Sequence, residues 1–172
     1  LDHAHAQGFL HRDVKPANIL RDSNGEYFLA DFGLTKAMMS TGLTSHTGAV
    51  LGTPPYIPPE IWSGEKASPA SDQYALACVL YEALTGKVLF TGETPPAVMT
   101  AHVLREPDLS ALPDPIRAIL SRALAKSVTE RFPDLAALSA ALQEIRDQDE
   151  IHESTESDGL TQTQSVQQST LP

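Results

Sequence analysis

The sequence is poor in cysteine, in basic residues and in long apolar runs, and each scarcity excludes a class of protein. Its single cysteine, Cys78, lies in the apolar run QYALACVLYEAL, so neither a disulfide framework nor a cysteine zinc site can form within one chain. We expect Cys78 to be a small buried side chain. Only 12 of 172 residues are Lys or Arg against 22 Asp or Glu, and a net charge of −10 argues against nucleic acid or an anionic membrane surface as a general partner. Apart from His11, the histidines have no metal-ligand spacing.

Hydrophobic segments of the length needed for membrane insertion are also missing. No window reaches the roughly 18 apolar residues that a membrane span requires. The first residues, LDHAHAQGFLHRD, have neither the basic nor the apolar region of an export signal. They do not begin with Met and resemble the last turns of a helix, with Gly8 as its stop. We therefore expect that the chain starts at a cut and not at a natural beginning.

The residues that are present favour one globular, mainly α domain over 1–146. The segment SPASDQYALACVLYEALTG predicts a helix that begins at Ser68-Pro69 and ends at Gly86, and its apolar residues on nearly every face predict burial at the centre of the domain. Weaker helices are expected at about 95–103, 114–125 and 133–146, and a long loop over about 32–68. The polar residues that follow predict a disordered acidic tail over 147–172.

A β-hairpin is expected near the start of the chain. Two short strand-like runs flank Asn24-Gly25, a strong signal for a two-residue turn. Such a turn would place Asn18 opposite Asp31. An amide oxygen and a carboxylate at one end of a hairpin are hard oxygen ligands suited to Mg²⁺. Any hairpin with polar ends would show a similar pair, so this pattern alone is a modest signal.

The segment HRDVKPAN, directly before the hairpin, adds a carboxylate and a cation to the same place. Asp13 stands five residues before Asn18 on a proline-stiffened loop, and Lys15 follows two residues after Asp13. A base, a cation and a pair of metal ligands at one point are what the transfer of a phosphoryl group to a hydroxyl requires. Separately, each residue is more often a turn former or a solvated charge.

Together these motifs resemble the C-terminal lobe of a eukaryotic-type (Hanks-type) serine/threonine protein kinase. The resemblance covers about residues 1–146, and the segment GFLHRDVKPANIL looks most like bacterial members. It implies a helical bundle around a buried central helix, with a small catalytic-loop β-hairpin and without the N-lobe. The motifs that carry it are, in order, HRDVKPAN at 11–18, DFG at 31–33, GTPPYIPPE at 52–60, SDQYALACVLYEALTG at 71–86 and ER at 130–131.

The resemblance implies an enzyme that transfers the γ-phosphoryl group of ATP to Ser or Thr hydroxyls of protein substrates, with ATP and Mg²⁺ as cofactors. Asp13 would orient the acceptor hydroxyl and accept its proton. Asn18 and Asp31 would hold magnesium, and Lys15 would neutralise the γ-phosphate. Lys15 and Thr53 are also the residue types that serine/threonine members carry beside the catalytic Asp.

Regulatory and structural roles follow from the same resemblance. Arg12 is similar to the arginine that binds a phosphorylated activation-loop residue. Asp72 resembles the Asp that accepts hydrogen bonds from the catalytic-loop backbone, and Glu60 with Arg131 resembles the buried ion pair of the family. Ser and Thr are abundant in any loop, so the phosphosites are candidates only. The candidates before Gly52 are Ser40, Thr41, Thr44, Ser45 and Thr47.

The Gly-rich loop, the strand Lys and the helix Glu that grip ATP in this family do not occur in the chain. We therefore interpret the chain as a fragment of an active kinase and do not expect it to be active alone. The alternative is a truncated, non-catalytic interaction module; the intact motif residues speak against degeneration but not against truncation. A small-molecule phosphotransferase is a third interpretation, which the peptide-docking segment GTPPYIPPE disfavours. We expect a cytoplasmic location, or the cytoplasmic face of a membrane if the full-length protein carries a downstream span.

Overall fold

The computed structural model describes residues 1–32 and 53–148, and within these ranges helices predominate. This confirms the predicted mainly α fold with one small hairpin. Short 3₁₀ turns lie at Pro16–Asn18, Pro54–Tyr56 and Val128–Glu130. The helices and strands are α1 (Asp2–Ala6), β1 (Ile19–Arg21), β2 (Tyr27–Leu29), α2 (Pro59–Trp62), α3 (Pro69–Thr85), α4 (Pro95–Leu104), α5 (Asp114–Ala123) and α6 (135–148).

Helix α3 is the central helix, as predicted. Pro69 occupies its first turn, and Gly86 ends it with a φ of 70°, in the left-handed region that glycine adopts without strain. Tyr74 and Ala77 are fully buried in the middle of the helix. Because α3 is enclosed on most of its faces, its polar side chains reach other parts of the protein instead of solvent.

Two apolar clusters surround this helix. The larger one unites α3 with side chains of the later helices and their connections, including Phe90, Leu120, Leu124 and Leu138. The smaller one consists of Val14, Ala75 and Val79. It packs the HRDVKPAN loop directly on α3, so the position of that loop is set by the most deeply buried helix.

The hairpin forms, but its predicted register is wrong by one residue. Ile19 pairs with Leu29, and the N–H of Ala30 donates to the carbonyl of Asn18 at 2.8 Å. Asn18 therefore lies opposite Ala30, and Asp31 follows one residue later. Asp31 has a φ of 63°, so the strand does not continue through it.

The shift in register results from the turn. The Asp22 carboxylate accepts hydrogen bonds from the backbone N–H groups of Asn24 and Glu26, both at 2.9 Å. Gly25 has a φ of 90°. These contacts favour a three-residue loop with a left-handed glycine at its end over the two-residue turn that Asn24-Gly25 suggested.

The region predicted as one long loop contains short ordered elements in its described part. The 3₁₀ turn Pro54–Tyr56 and helix α2 lie within 53–68, and both are too short to give a periodic sequence signal. Helix α6 includes residues 147 and 148, the first two of the predicted tail; residues 149–172 lie outside the described ranges. No helix in the described part of the chain is long and apolar enough to cross a membrane.

His102 is a polar side chain inside the larger cluster. It is fully buried on α4, where its ring contacts Phe90 at 4.6 Å between centroids and its Nδ1 lies 3.1 Å from the Tyr74 hydroxyl. Burial and the positive charge of Lys126 lower the pKa of His102 from 6.5 to about 4, although the carbonyls of Pro55 and Pro54 act in the opposite direction. The ring is therefore neutral in the folded protein at neutral pH.

Replacing His102 with Gln should flatten the acid dependence of stability. In the unfolded chain the imidazole binds a proton below pH 6.5, whereas in the folded chain it does so only near pH 4. Stability from the neutral ring is present above pH 6.5 and is lost as the pH falls. We expect the free energy of unfolding of the wild type to fall by about 2 kcal/mol more than that of H102Q between pH 7 and pH 5.

Urea denaturation at several pH values measures this difference, with H3Q as the control because His3 is exposed. If the free energy of unfolding changed equally with pH in the wild type and in H102Q, the lowered pKa of His102 would be contradicted.

Candidate active site

The HRDVKPAN loop is held by one buried carboxylate at the start of α3. Asp72, which is 2% exposed, accepts hydrogen bonds from the backbone N–H groups of His11 and Arg12, both at 2.8 Å. The Nε2 of His5 lies 2.8 Å from the same side chain. Three contacts to one carboxylate join α1, the loop and α3, so the loop cannot move independently of the central helix.

The loop bends sharply at Arg12, directly before Asp13. Arg12 has a φ of 66°, a left-handed conformation that costs a residue with a Cβ about 1–2 kcal/mol. The hydrogen bond from its N–H to Asp72 offsets part of this cost. The Nε atom of Arg12 is buried and has no hydrogen-bond partner among the described residues.

Three of the predicted site residues come together around Asp13. The Nζ of Lys15 donates to Oδ2 of Asp13 at 2.7 Å. The side-chain amide of Asn18 donates to the Asp13 carbonyl at 2.7 Å and to its Oδ2 at 3.2 Å. In the described residues, Oδ1 of Asp13 carries no hydrogen bond. The carboxylate thus has one oxygen fixed by its neighbours and one without a hydrogen bond to the described residues.

The predicted magnesium ligands, Asn18 and Asp31, offer the oxygen atoms that Mg²⁺ prefers. Because the amide nitrogen of Asn18 is committed to Asp13, its Oδ1 remains available as an oxygen ligand. Asp31 is exposed, and its carboxylate accepts no hydrogen bond from a described residue. No group of three or more His, Cys, Asp or Glu side chains suited to a metal occurs in the described ranges. Mg²⁺ bound with a nucleotide needs only one or two protein carboxylates, because phosphate oxygens and water complete its shell.

His11 is a further site residue, to which the sequence analysis assigned no role. It is fully buried; its Nε2 lies 2.7 Å from the carbonyl of Ala30, and its Nδ1 accepts from the N–H of Asp13 at 3.3 Å. Its ring also packs edge-on against Phe32 at 4.5 Å. His11 therefore connects Asp13 to the segment that carries Asp31. In the sequence, only its position at the start of HRDVKPAN indicates that His11 belongs to the site.

Thr53 begins the 3₁₀ turn Pro54–Tyr56, and within the described residues its side chain makes no hydrogen bond to Asp13. The turn is fixed by Tyr56, whose hydroxyl donates to Oε2 of Glu82 at 2.6 Å. Burial and this hydrogen bond raise the pKa of Tyr56, so the hydroxyl stays protonated and can donate. Gly33 and the five candidate phosphosites lie outside the described residues.

Glu60 and Arg131 form a buried bidentate ion pair. The NH1 and NH2 groups of Arg131 donate to Glu60 at 2.9 and 2.7 Å, and the Ser71 hydroxyl donates to Glu60 at 2.8 Å. Arg131 also donates to the carbonyls of Ala70 and Ala125. Burial alone would raise the pKa of Glu60, but the hydrogen bonds and charge of Arg131 outweigh burial and lower it. The pair ties α2 to the start of α3 and to the 3₁₀ turn Val128–Glu130.

Replacing Arg131 with Ala should destabilise the fold strongly. The variant leaves the buried Glu60 carboxylate without its cation, and breaking a buried pair in this way costs about 3–5 kcal/mol. Denaturant unfolding measures the loss. The control is R117A, because Arg117 forms a partly exposed pair with Asp114 and one hydrogen bond to the Leu112 carbonyl, contacts that are each worth about 1 kcal/mol. An R131A chain as stable as the R117A chain would refute the structural role.

Comparison with known proteins matches most of the chain to one family. Residues 1–144 match the family described as Protein kinase domain. A relative in Streptomyces coelicolor, named probable serine/threonine-protein kinase, is 40% identical over 77% of this chain and 20% of its own length. The serine/threonine-protein kinase PknB of Mycolicibacterium smegmatis is 38% identical over 86% of this chain and 24% of its own. PknB of Mycobacterium tuberculosis is 37% identical over 84% of this chain and 24% of its own. The chain spans about a fifth to a quarter of the length of these relatives.

Proposed function

This chain belongs to the protein kinase family, among bacterial relatives of the Hanks-type serine/threonine branch. From this membership we propose that the full-length protein transfers the γ-phosphoryl group of ATP to Ser or Thr residues of proteins. The observation that carries the proposal is the joint fixing of Asp13, Lys15 and Asn18 within hydrogen-bond distance on one loop. Little covalent chemistry is needed for phosphoryl transfer, so positioning and charge are the main contributions of the protein.

Asp13 is the residue that would contact the acceptor hydroxyl. Its Oδ2 is occupied by Lys15 and Asn18, which leaves Oδ1 to accept the hydroxyl proton as the oxygen attacks the γ-phosphorus. Lys15 stabilises the carboxylate and is long enough to place its ammonium beside the γ-phosphate as negative charge develops there. Asp13 thus orients the nucleophile while Lys15 neutralises the group that it attacks.

Asn18 and Asp31 would hold magnesium on the other side of the phosphates. When bound, Mg²⁺ neutralises negative charge on the phosphate oxygens. The Asn18 oxygen is directed by the two hydrogen bonds that its amide nitrogen makes to Asp13. Asp31 is linked to the same loop through its neighbours, because His11 contacts both Ala30 and Phe32.

The remaining part of the nucleotide site would be formed by residues outside this chain. An apolar groove of about 480 Å³ lies along α1 and is lined by Phe9, Leu10 and Phe32. On the hairpin, Leu20 and Phe28 are about half exposed. These apolar side chains would suit an interaction surface, and a nucleotide-binding lobe is the partner that the proposed function requires.

Conversion of Asp13 to Asn should abolish most of the activity of the full-length protein. Removing the base leaves ATP binding intact, so we expect the kcat for a Ser/Thr peptide to fall by about 10²–10⁴-fold with the KM for ATP unchanged. E93Q, at an exposed site before α4, is the matched control. An active D13N enzyme would exclude the proposed role of Asp13. A wild type that binds partners without phosphorylating them would favour the non-catalytic alternative.

Replacing the proposed metal ligands should have a different effect. N18A and D31N should raise the Mg²⁺ concentration needed for half-maximal rate.

Regulation through Arg12 is a separate proposal. The buried Nε without a partner among the described residues suits a guanidinium that receives a phosphorylated loop residue. Replacing Ser40, Thr41, Thr44, Ser45 and Thr47 together with Ala should remove the activation that accompanies autophosphorylation. A variant with Ala at the exposed residues Thr100 and Ser110 is the control. Time courses of peptide phosphorylation after treatment with a phosphatase test this, and full activity of the five-Ala protein would rule it out.

A further inference from the structure

We propose that His102 positions the Pro54–Tyr56 turn, and with it the segment on which the acceptor peptide would rest, by aiming its Nε2–H at the carbonyl groups of Pro54 and Pro55. The consequence for the acceptor peptide depends on the proposed kinase function. The proposed hydrogen bond from His102 to the turn does not depend on it.

The turn has few other ways to be held from below. Pro54 and Pro55 have no backbone N–H, so neither can donate a hydrogen bond to the core, and each offers only a carbonyl oxygen. The turn packs against α3 and α4. At its far end the Tyr56 hydroxyl is bound to Glu82 at 2.6 Å. A donor from α4 would provide the second point of attachment.

His102 provides that donor. It is fully buried, its Nδ1 lies 3.1 Å from the Tyr74 hydroxyl, and its Nε2 has no partner of hydrogen-bond geometry among the described residues. The carbonyls of Pro55 and Pro54 still lie near enough to favour the protonated ring, against the larger effects of burial and Lys126 that lower its pKa. Carbonyl groups only accept hydrogen bonds, so they select the tautomer with the proton on Nε2. The Tyr74 hydroxyl then donates to Nδ1.

His102 is itself held by three contacts. Its backbone carbonyl accepts from the Nζ of Lys126 at 2.8 Å, and its ring packs on Phe90 at 4.6 Å. Tyr74, its partner at Nδ1, lies under the guanidinium of Arg131 at 4.8 Å. The position of the turn is thereby coupled through two side chains to the same Arg131 that pairs with Glu60.

Two substitutions separate the two nitrogens of the ring. Gln at position 102 places its amide N–H₂ near the position of Nε2 and keeps a donor for the turn. Asn places its amide near Nδ1, where it can contact Tyr74 but cannot reach the turn. In the full-length protein we expect H102N to raise the KM for a Ser/Thr peptide by about 5- to 10-fold, the effect of one lost hydrogen bond, with the KM for ATP and kcat within about twofold. H102Q should stay within about twofold of the wild type in all three constants.

T100N, on the exposed part of the same helix, is the control and should not change any of the constants. Equal peptide KM values for H102N and H102Q would overturn the proposal. A rise in the KM for peptide and in the KM for ATP, in proportion to the loss of thermal stability, would also overturn it, because a purely structural role would produce that result.

A measurement without catalysis distinguishes failure of this proposal from failure of the kinase function. ¹⁵N NMR of histidine-labelled protein, assigned with H102Q, should show His102 neutral at pH 7 with its proton on Nε2. Hydrogen exchange at the Tyr56 N–H, which donates to the Thr53 carbonyl at 3.1 Å, should be faster in H102N than in H102Q. A proton on Nδ1, or equal exchange in the two variants, would overturn the positioning role even in an active kinase. If both results hold in a protein that phosphorylates no peptide, the positioning role stands and the kinase function fails.

Discussion

The hydrogen bonds from the backbone of the HRDVKPAN loop to the buried carboxylate of Asp72 are the constraint on which the rest of the site depends. Helix α3 uses three consecutive polar residues in three directions. Asp72 binds the loop at His11 and Arg12. Gln73 accepts from the N–H of Phe132 and donates to its carbonyl, and Tyr74 contacts His102 on α4. One buried helix thus contacts the loop that carries Asp13, the segment before α6 and helix α4.

Because these polar groups are buried, each of them needs a hydrogen-bond partner. A carboxylate or guanidinium removed from water is tolerated only when its hydrogen-bonding groups are matched, and Glu60 with Arg131 satisfies this with partners on both sides. The same requirement explains the strained conformation of Arg12: the left-handed turn brings two successive N–H groups onto the two oxygen atoms of one carboxylate. Asp13 remains partly exposed at the end of this rigid support. Rigidity and access are therefore provided by adjacent residues.

Local chemistry was readable from the sequence, whereas contacts between distant segments were not. The group of Asp13, Lys15 and Asn18 spans few residues, so its spacing nearly determines its geometry. Helix α3 was predictable because Ser68-Pro69 and Gly86 mark its ends. The hairpin register was misjudged because the Asp22 side chain, and not Asn24-Gly25 alone, selects the turn. Helix α2 and the burial of His102 depend on partners far away in the chain, which no local pattern reveals.

The binding position of a metal nucleotide would show directly whether the proposed site lies beside Asp13. With Mn²⁺ and a non-hydrolysable ATP analogue added to the full-length protein, paramagnetic broadening in NMR spectra should remove the side-chain amide signal of Asn18 and the backbone signals around Asp31 first. Signals around Asp108, an exposed carboxylate whose Oδ1 accepts from Ser110, should persist. Broadening that spares Asn18 and Asp31 while it affects other acidic residues would contradict a nucleotide site beside Asp13.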